Sequence, residues 1–226
     1  MGLSNRSGIE SALGELFQTE QRARELAGDI AGGPPDVVLS VLLEALNRAR
    51  KLGDERARVV QLESMAKLLG EVGGPGAVDA LIDILGSEEP EARHTAGLVL
   101  EDLAFERFKE VALGIERAMA KLPPDHLALS ELPYILIEVP EPGVVKLIHR
   151  FLEHGNEEVV AAAIEACVEL GDPSSVAKLV KLERDTRLVE LDDGESDRNT
   201  DSSVTIGELA KEARLLLQSL EPEDQA

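Results

Sequence analysis

Asp193, Glu195, Asp197, Asn199 and Asp201 alternate along the chain, a spacing that could ligate calcium. An EF-hand loop needs glycine at its sixth position for the sharp turn and a bidentate glutamate at its twelfth. Counted from Asp193, those places hold Arg198 and Val204, so the stretch reads as a solvated acidic loop. His149 and His154 lie on one predicted helical segment with Glu153 between them. Two ligands on one helix face want a spacing of three or four, and a spacing of five splays them by roughly 140°. Cys167 is the one cysteine, which excludes an internal disulfide and a cysteine-based zinc cluster. The glycines at 73, 74 and 76 lack the Lys-Ser/Thr ending of a phosphate loop. There is no nucleophile elbow, dinucleotide fingerprint or His-Glu-x-x-His. The sequence therefore predicts no catalytic residue, no cofactor and no metal site.

The elements that would position any site repeat themselves. Residues 74–104 read GPGAVDALIDILGSEEPEARHTAGLVLEDLA, and residues 141–171 read EPGVVKLIHRFLEHGNEEVVAAAIEACVELG. Pro75 aligns with Pro142, Val78 with Val145, Leu81 with Ile148, Ala96 with Ala163 and Leu100 with Cys167. A further copy starts at Pro173, 31 residues after Pro142, and MAKLLGEVG at 65–73 matches AGLVLEDLA at 96–104, again 31 apart. The 67-residue offset is thus about two units, with a degenerate unit between. In each unit apolar residues recur at helical spacing, a short turn follows, and a second helix carries small residues where helices must approach closely. In the second helix Cys167 occupies a core-leucine position, so it reads as a small buried hydrophobe. One hairpin cannot bury both its faces, but hairpins stacked in file share a continuous aliphatic core.

The expected architecture is an all-α fold, an α-solenoid of about five helical hairpins forming one domain over 1–226. Ser7 with Glu10 forms a capping box, and Ile9, Leu13, Leu16, Phe17, Leu26 and Ile30 predict a capping helix over 7–30 that covers the first hairpin. Helices follow at about 35–52 and 55–72, then units at 75–104, 106–139 and 142–171, and a last one from Pro173. Pro133 is expected to kink or break its helix. Residues 184–204 form a mobile acidic insertion loop, Thr205 and Glu208 a second capping box, and 221–226 a frayed tail. No apolar run approaches the ~18 residues a membrane span needs, and the first residues lack the apolar region of a signal peptide.

The pattern G-x-P-x-x-V-x-x-L, a short turn, then P-E-x-x-x-x-A-x-x-x-L-x-x-L resembles the HEAT-repeat superfamily. It is most similar to the short bacterial phycobilisome-lyase-type HEAT-like repeats. The resemblance holds at 65–104 and 141–182. It implies partner binding along the concave wall built by the second helices. Its relatives include bilin lyases and DNA glycosylases, so an accessory or lyase-like enzyme is the catalytic alternative it implies.

Charge and composition narrow the partner. Lys and Arg total 23 against 44 Asp and Glu, a net charge of −21. Such a field repels nucleic acid phosphates and anionic lipids and favours a basic protein. Aromatic residues are 2% with no Trp, which removes stacking platforms for bases and the walls a glycosylase groove needs. In the repeat register the outward residues of the second helices include Arg56, Lys67, Glu71, Arg93, Glu101, Glu165, Glu169 and Glu212. Of these, Arg93, Glu101, Glu165, Glu169 and Glu212 are the candidate partner-binding residues. The expected function is a non-catalytic, cytoplasmic interaction scaffold, with a small acidic inhibitor or immunity-type protein as the alternative.

Overall fold

A computed structural model describes residues 5–190 and 203–220. The helices start where the sequence supplies a reason. Helices α2 (Pro35–Ala49), α4 (Pro75–Leu85) and α5 (Pro90–Lys121) open on proline, whose missing N–H costs nothing in the first turn. Asp54, Asn156 and Thr205 accept the Ala57, Val159 and Glu208 amides, capping α3 (Glu55–Val72), α8 (Glu157–Leu170) and α10 (Ile206–Ser219). Thr205 and Glu208 close the expected capping box. The other expected box does not form. Asn5 caps α1 (Arg6–Ala31) by accepting the Gly8 amide at 2.7 Å, and Ser7 is already inside the first turn. The remaining helices are α6 (Ala128–Ile137), α7 (Gly143–Phe151) and α9 (Val176–Leu182), the last entered through a 3-10 turn at Pro173–Ser175. Contrary to expectation α6 runs through Pro133. The proline is buried beside Leu129, Leu132 and Leu136, and that packing offsets the one intrahelical hydrogen bond it removes.

Five hairpins stack in file. Helix α5 serves two of them, because Arg107 alone departs from helical geometry (φ −140°, ψ 48°) and divides it. The hairpins are α2–α3, α4 with the first part of α5, the second part of α5 with α6, α7–α8, and α9–α10. Second helices α3, α5, α6, α8 and α10 touch in that order and form one layer, against which the first helices pack. The core between is aliphatic: Leu81, Ile84, Leu100, Ile115, Leu129 and Ile148 are each fully enclosed, with Ala92, Ala96 and Ala163 at the closest approaches. A residue such as Leu81 contributes about 1.5–3 kcal/mol by leaving water. Cys167 lies in this core, and burial pushes its thiol up to about 11. The 31-residue period reappears as polar rungs between successive units. Arg58 pairs with Glu89 and Tyr134 donates to Glu165 at 2.6 Å, each 31 residues apart.

The turn from α3 to α4 shows how the α5 kink is used. Gly73 sits at φ 63°, and a Cβ there would meet the Arg107 guanidinium at 2.1 Å. Arg107 lies over the end of α3, and Glu110 accepts the Gly74 amide at 2.7 Å. Glycine is required for its backbone angle, and the Arg107 guanidinium occupies the space a side chain would take.

Both ends depart from expectation. Helix α1 buries none of its residues and does not cover the first hairpin; its last turn lines a groove with α2 and α3 and the rest of its apolar stripe lies open. The 184–204 insertion is not loop throughout. Strands β1 (Leu188–Glu190) and β2 (Ser203–Thr205) pair antiparallel at its base, with Val189 opposite Val204 and Val189 buried. Arg187 fastens this base to the α7–α8 turn by donating to the His154 and Gly155 carbonyls at 3.1 and 2.9 Å, while Asp185 holds its guanidinium. The alternating acids at 193–201 and the 221–226 tail lie outside the described residues. No helix among the described residues is long and apolar enough to cross a membrane.

Candidate functional site

The second-helix layer positions the site. Helix α8 turns Val160, Ala163, Ile164 and Cys167 inward, so Glu165 and Glu169, four residues apart, fall together on its open side. Helix α10 does the same with Ala210, Ala213 and Leu217 against Glu212. Between α6, α8 and α10 lies a groove of about 450 Å³ whose floor is Ile137, Ile164, Val168, Leu209 and Leu216. Glu165, Glu169 and Glu212 stand along it with Tyr134 at one end. Three of the sequence-predicted residues thus meet in one place.

Arg93 and Glu101 line the adjoining groove between α5 and α6, of about 400 Å³, with Leu98, Glu131 and Ile135. Tyr134 belongs to both grooves and joins them. Arg93 is tied down: its guanidinium donates to the Ser87 and Glu88 carbonyls at 3.1 Å each and lies 3.9 Å from Glu131. It braces the α4–α5 turn. Arg56, Lys67 and Glu71, exposed on α3, line neither groove.

The electrostatics are one-sided. Among the described residues, Glu101, Glu165, Glu169 and Glu212 have no ion-pair partner. Several acids of the first-helix layer are paired, as in Arg117–Asp79 at 2.7 Å, Arg150–Glu116 and Lys178–Glu153 at 2.9 Å. Burial, then the hydrogen bond to Glu165, then the charges of Glu165 and Glu131 hold the Tyr134 phenol well above its usual range. It is a fixed donor that orients Glu165. Chemically, the arrangement offers carboxylates over an apolar floor, which suits Lys or Arg heads whose aliphatic stems lie along Ile164, Val168 and Leu216.

The histidines do other work. His149 Nε2 shares a hydrogen bond with Ser175 Oγ at 2.9 Å, and His154 Nδ1 accepts the Asn156 amide at 3.2 Å. Burial lowers both imidazoles first, with Lys178 and Arg187 respectively adding to it. Among the described residues no group of three His, Cys, Asp or Glu side chains is placed to hold a metal ion. Tyr134, Glu131 and the apolar floor escaped the sequence reading. The signal for Tyr134 was its position 31 residues before Glu165, masked because its unit matches the repeat poorly.

No family model matches the chain, and no curated protein matches its sequence. Among solved structures, an engineered protein is similar at 17% identity, covering 96% of this chain and 95% of that one, with a TM-score of 0.35. A designed armadillo repeat protein is similar at 14% identity over 96% of each chain, TM-score 0.32. A computationally designed armadillo repeat protein for modular peptide recognition is similar at 14% identity over 94% of each chain, TM-score 0.32. The solenoid architecture of the present chain rests on its own stacked hairpins.

Proposed function

We propose that this protein is a non-catalytic interaction scaffold of HEAT-like type, acting in the cytoplasm, whose second-helix groove takes a basic segment of a protein partner. The observation that carries this reading is the set of unpaired carboxylates Glu165, Glu169 and Glu212 above an apolar floor. A partner offering Lys or Arg beside aliphatic residues satisfies both surfaces at once. The remaining acids of the chain then steer its approach, and charge of that kind sets on-rate and specificity more than affinity.

The test is a titration of a fluorescent peptide that alternates Arg and Leu against the intact protein at low and high salt. Binding is expected to weaken as salt rises, because exposed charges are screened. The Glu165→Lys, Glu169→Lys double variant is expected to bind at least about tenfold more weakly. Salt-independent binding, or equal binding by the variant, would overturn the reading. Capture from the native cell with the same pair of proteins then identifies the partner, and a lone cationic enzyme would make the protein an inhibitor.

A further inference from the structure

Among the described residues α1 is the one helix with no buried residue, yet its sequence is amphipathic. Ile9, Leu16, Ala23 and Ile30 recur every seven residues, and Ala12, Thr19 and Leu26 fall between them. That is the alternating three-and-four spacing of a coiled-coil seam. Leu13 and Phe17 widen the stripe, and Phe17 is 62% exposed. A terminal repeat normally turns a polar face outward; this one turns out an apolar stripe that runs from Ile9 to Ile30.

We propose that this stripe is a self-association surface, on which α1 of a second copy lies antiparallel. The charges flanking the seam select both the partner and its direction. Glu15 and Arg22 share one edge of the stripe and Glu20 lies toward the other. In an antiparallel pair like edges meet, so Glu15 faces Arg22 of the second copy, twice per dimer. The two-fold axis then falls between Leu16 and Thr19, with Ile9 opposite Leu26, Ala12 opposite Ala23 and Leu16 opposite Thr19. In a parallel pair Glu15 would face Glu20 of the second copy, like charge against like charge, also twice.

Net charge points to the same place. The chain carries −21, but α1 holds five acids against three arginines, or −2, leaving −19 on the other residues. Two copies repel least where their α1 helices meet. Two stripes of this length bury roughly 600–700 Å² in total, from helix dimensions and a ~100° apolar face. That is about two thirds of the ~1,000 Å² a specific interface needs. The groove at the root of α1, about 610 Å³ and lined by Ile30, Val37, Val41 and Val60, extends the apolar surface where the second copy's first turn would end. The dimer is therefore weak and concentration-dependent.

The experiment is sedimentation velocity on the full chain over roughly 1–100 μM, the range fitting an interface at the small end of the size scale. Dimer is expected to grow with concentration. Leu16→Glu is expected to give monomer throughout, with an unchanged unfolding midpoint at concentrations where the unsubstituted chain is itself monomeric, since no α1 residue is buried. Glu15→Arg and Arg22→Glu should each weaken the dimer about tenfold, and the two together should restore it. Monomer at every concentration, dimer persisting in Leu16→Glu, or failure of the double reversal to restore it would overturn the proposal. A lowered midpoint in Leu16→Glu where both proteins are monomeric would place the stripe against its own chain, and a stronger dimer in Glu15→Arg would mean parallel pairing; either also overturns it.

Discussion

Helices α8 and α1 are both written as amphipathic, and they meet opposite fates. Helix α8 has 14 residues and buries Val159, Val160, Ala161, Ala162, Ala163, Ile164, Ala166 and Cys167. Helix α1 has 26 residues and buries none. Pattern alone does not decide burial. Helix α8 is enclosed because α6, α7 and α10 stand against it, whereas α1, among the described residues, packs chiefly on α2 and α3 and buries no side chain fully. In a stack of hairpins each core face is completed by a neighbour, so an end lacks what every interior unit receives.

The hardest test of this contrast sets an interior leucine against an end one. Leu81→Ala should cost about 2–5 kcal/mol in denaturant unfolding, as a fully buried leucine does. Leu16→Ala should change stability by less than about 0.5 kcal/mol. Equal losses would erase the distinction. Gly73→Ala should cost about 1–3 kcal/mol, since an alanine there is held at a positive φ. A neutral result would show that the α3–α4 turn does not hold residue 73 at that angle.

Smaller effects sharpen the picture at the other end. Arg187→Ala should cost about 1 kcal/mol by freeing the β1–β2 base from the α7–α8 turn. Hydrogen exchange should rise at Val189 and Val204 and stay unchanged in α1. The least effect is the pH dependence of the α7–α9 region. Burial lowers the His149 and His154 imidazoles below the usual 6.5, so the unfolded chain binds protons first. Their contribution is present above pH 6.5 and fades as pH falls below it, and the double His→Gln variant should flatten that part of a midpoint-against-pH curve.

The sequence made the interior units legible because their signals are local and repeated. Pro75, Pro142 and Pro173 each stand at the opening of a first helix, and Leu81, Ile148 and Leu179 all lie in the core. Glu165, Glu169 and Glu212 follow from that register and do share one groove. What escaped depends on tertiary context. No glycine or proline marks Arg107 as a break; only the repeat register hinted at a boundary near it. Pro133 survives in α6 because its surroundings are packed, and α1 stays open because a stripe carries no record of whether anything stands opposite. Leu188–Glu190 looked like loop because the partner of a three-residue strand lies across the insertion.

One consequence concerns force. Because Arg107 is the sole hinge in a 32-residue rod, the second and third hairpins share a single beam. A pull on the two termini would peel the outer hairpins away one at a time. The middle pair would resist and then rupture together in one larger event.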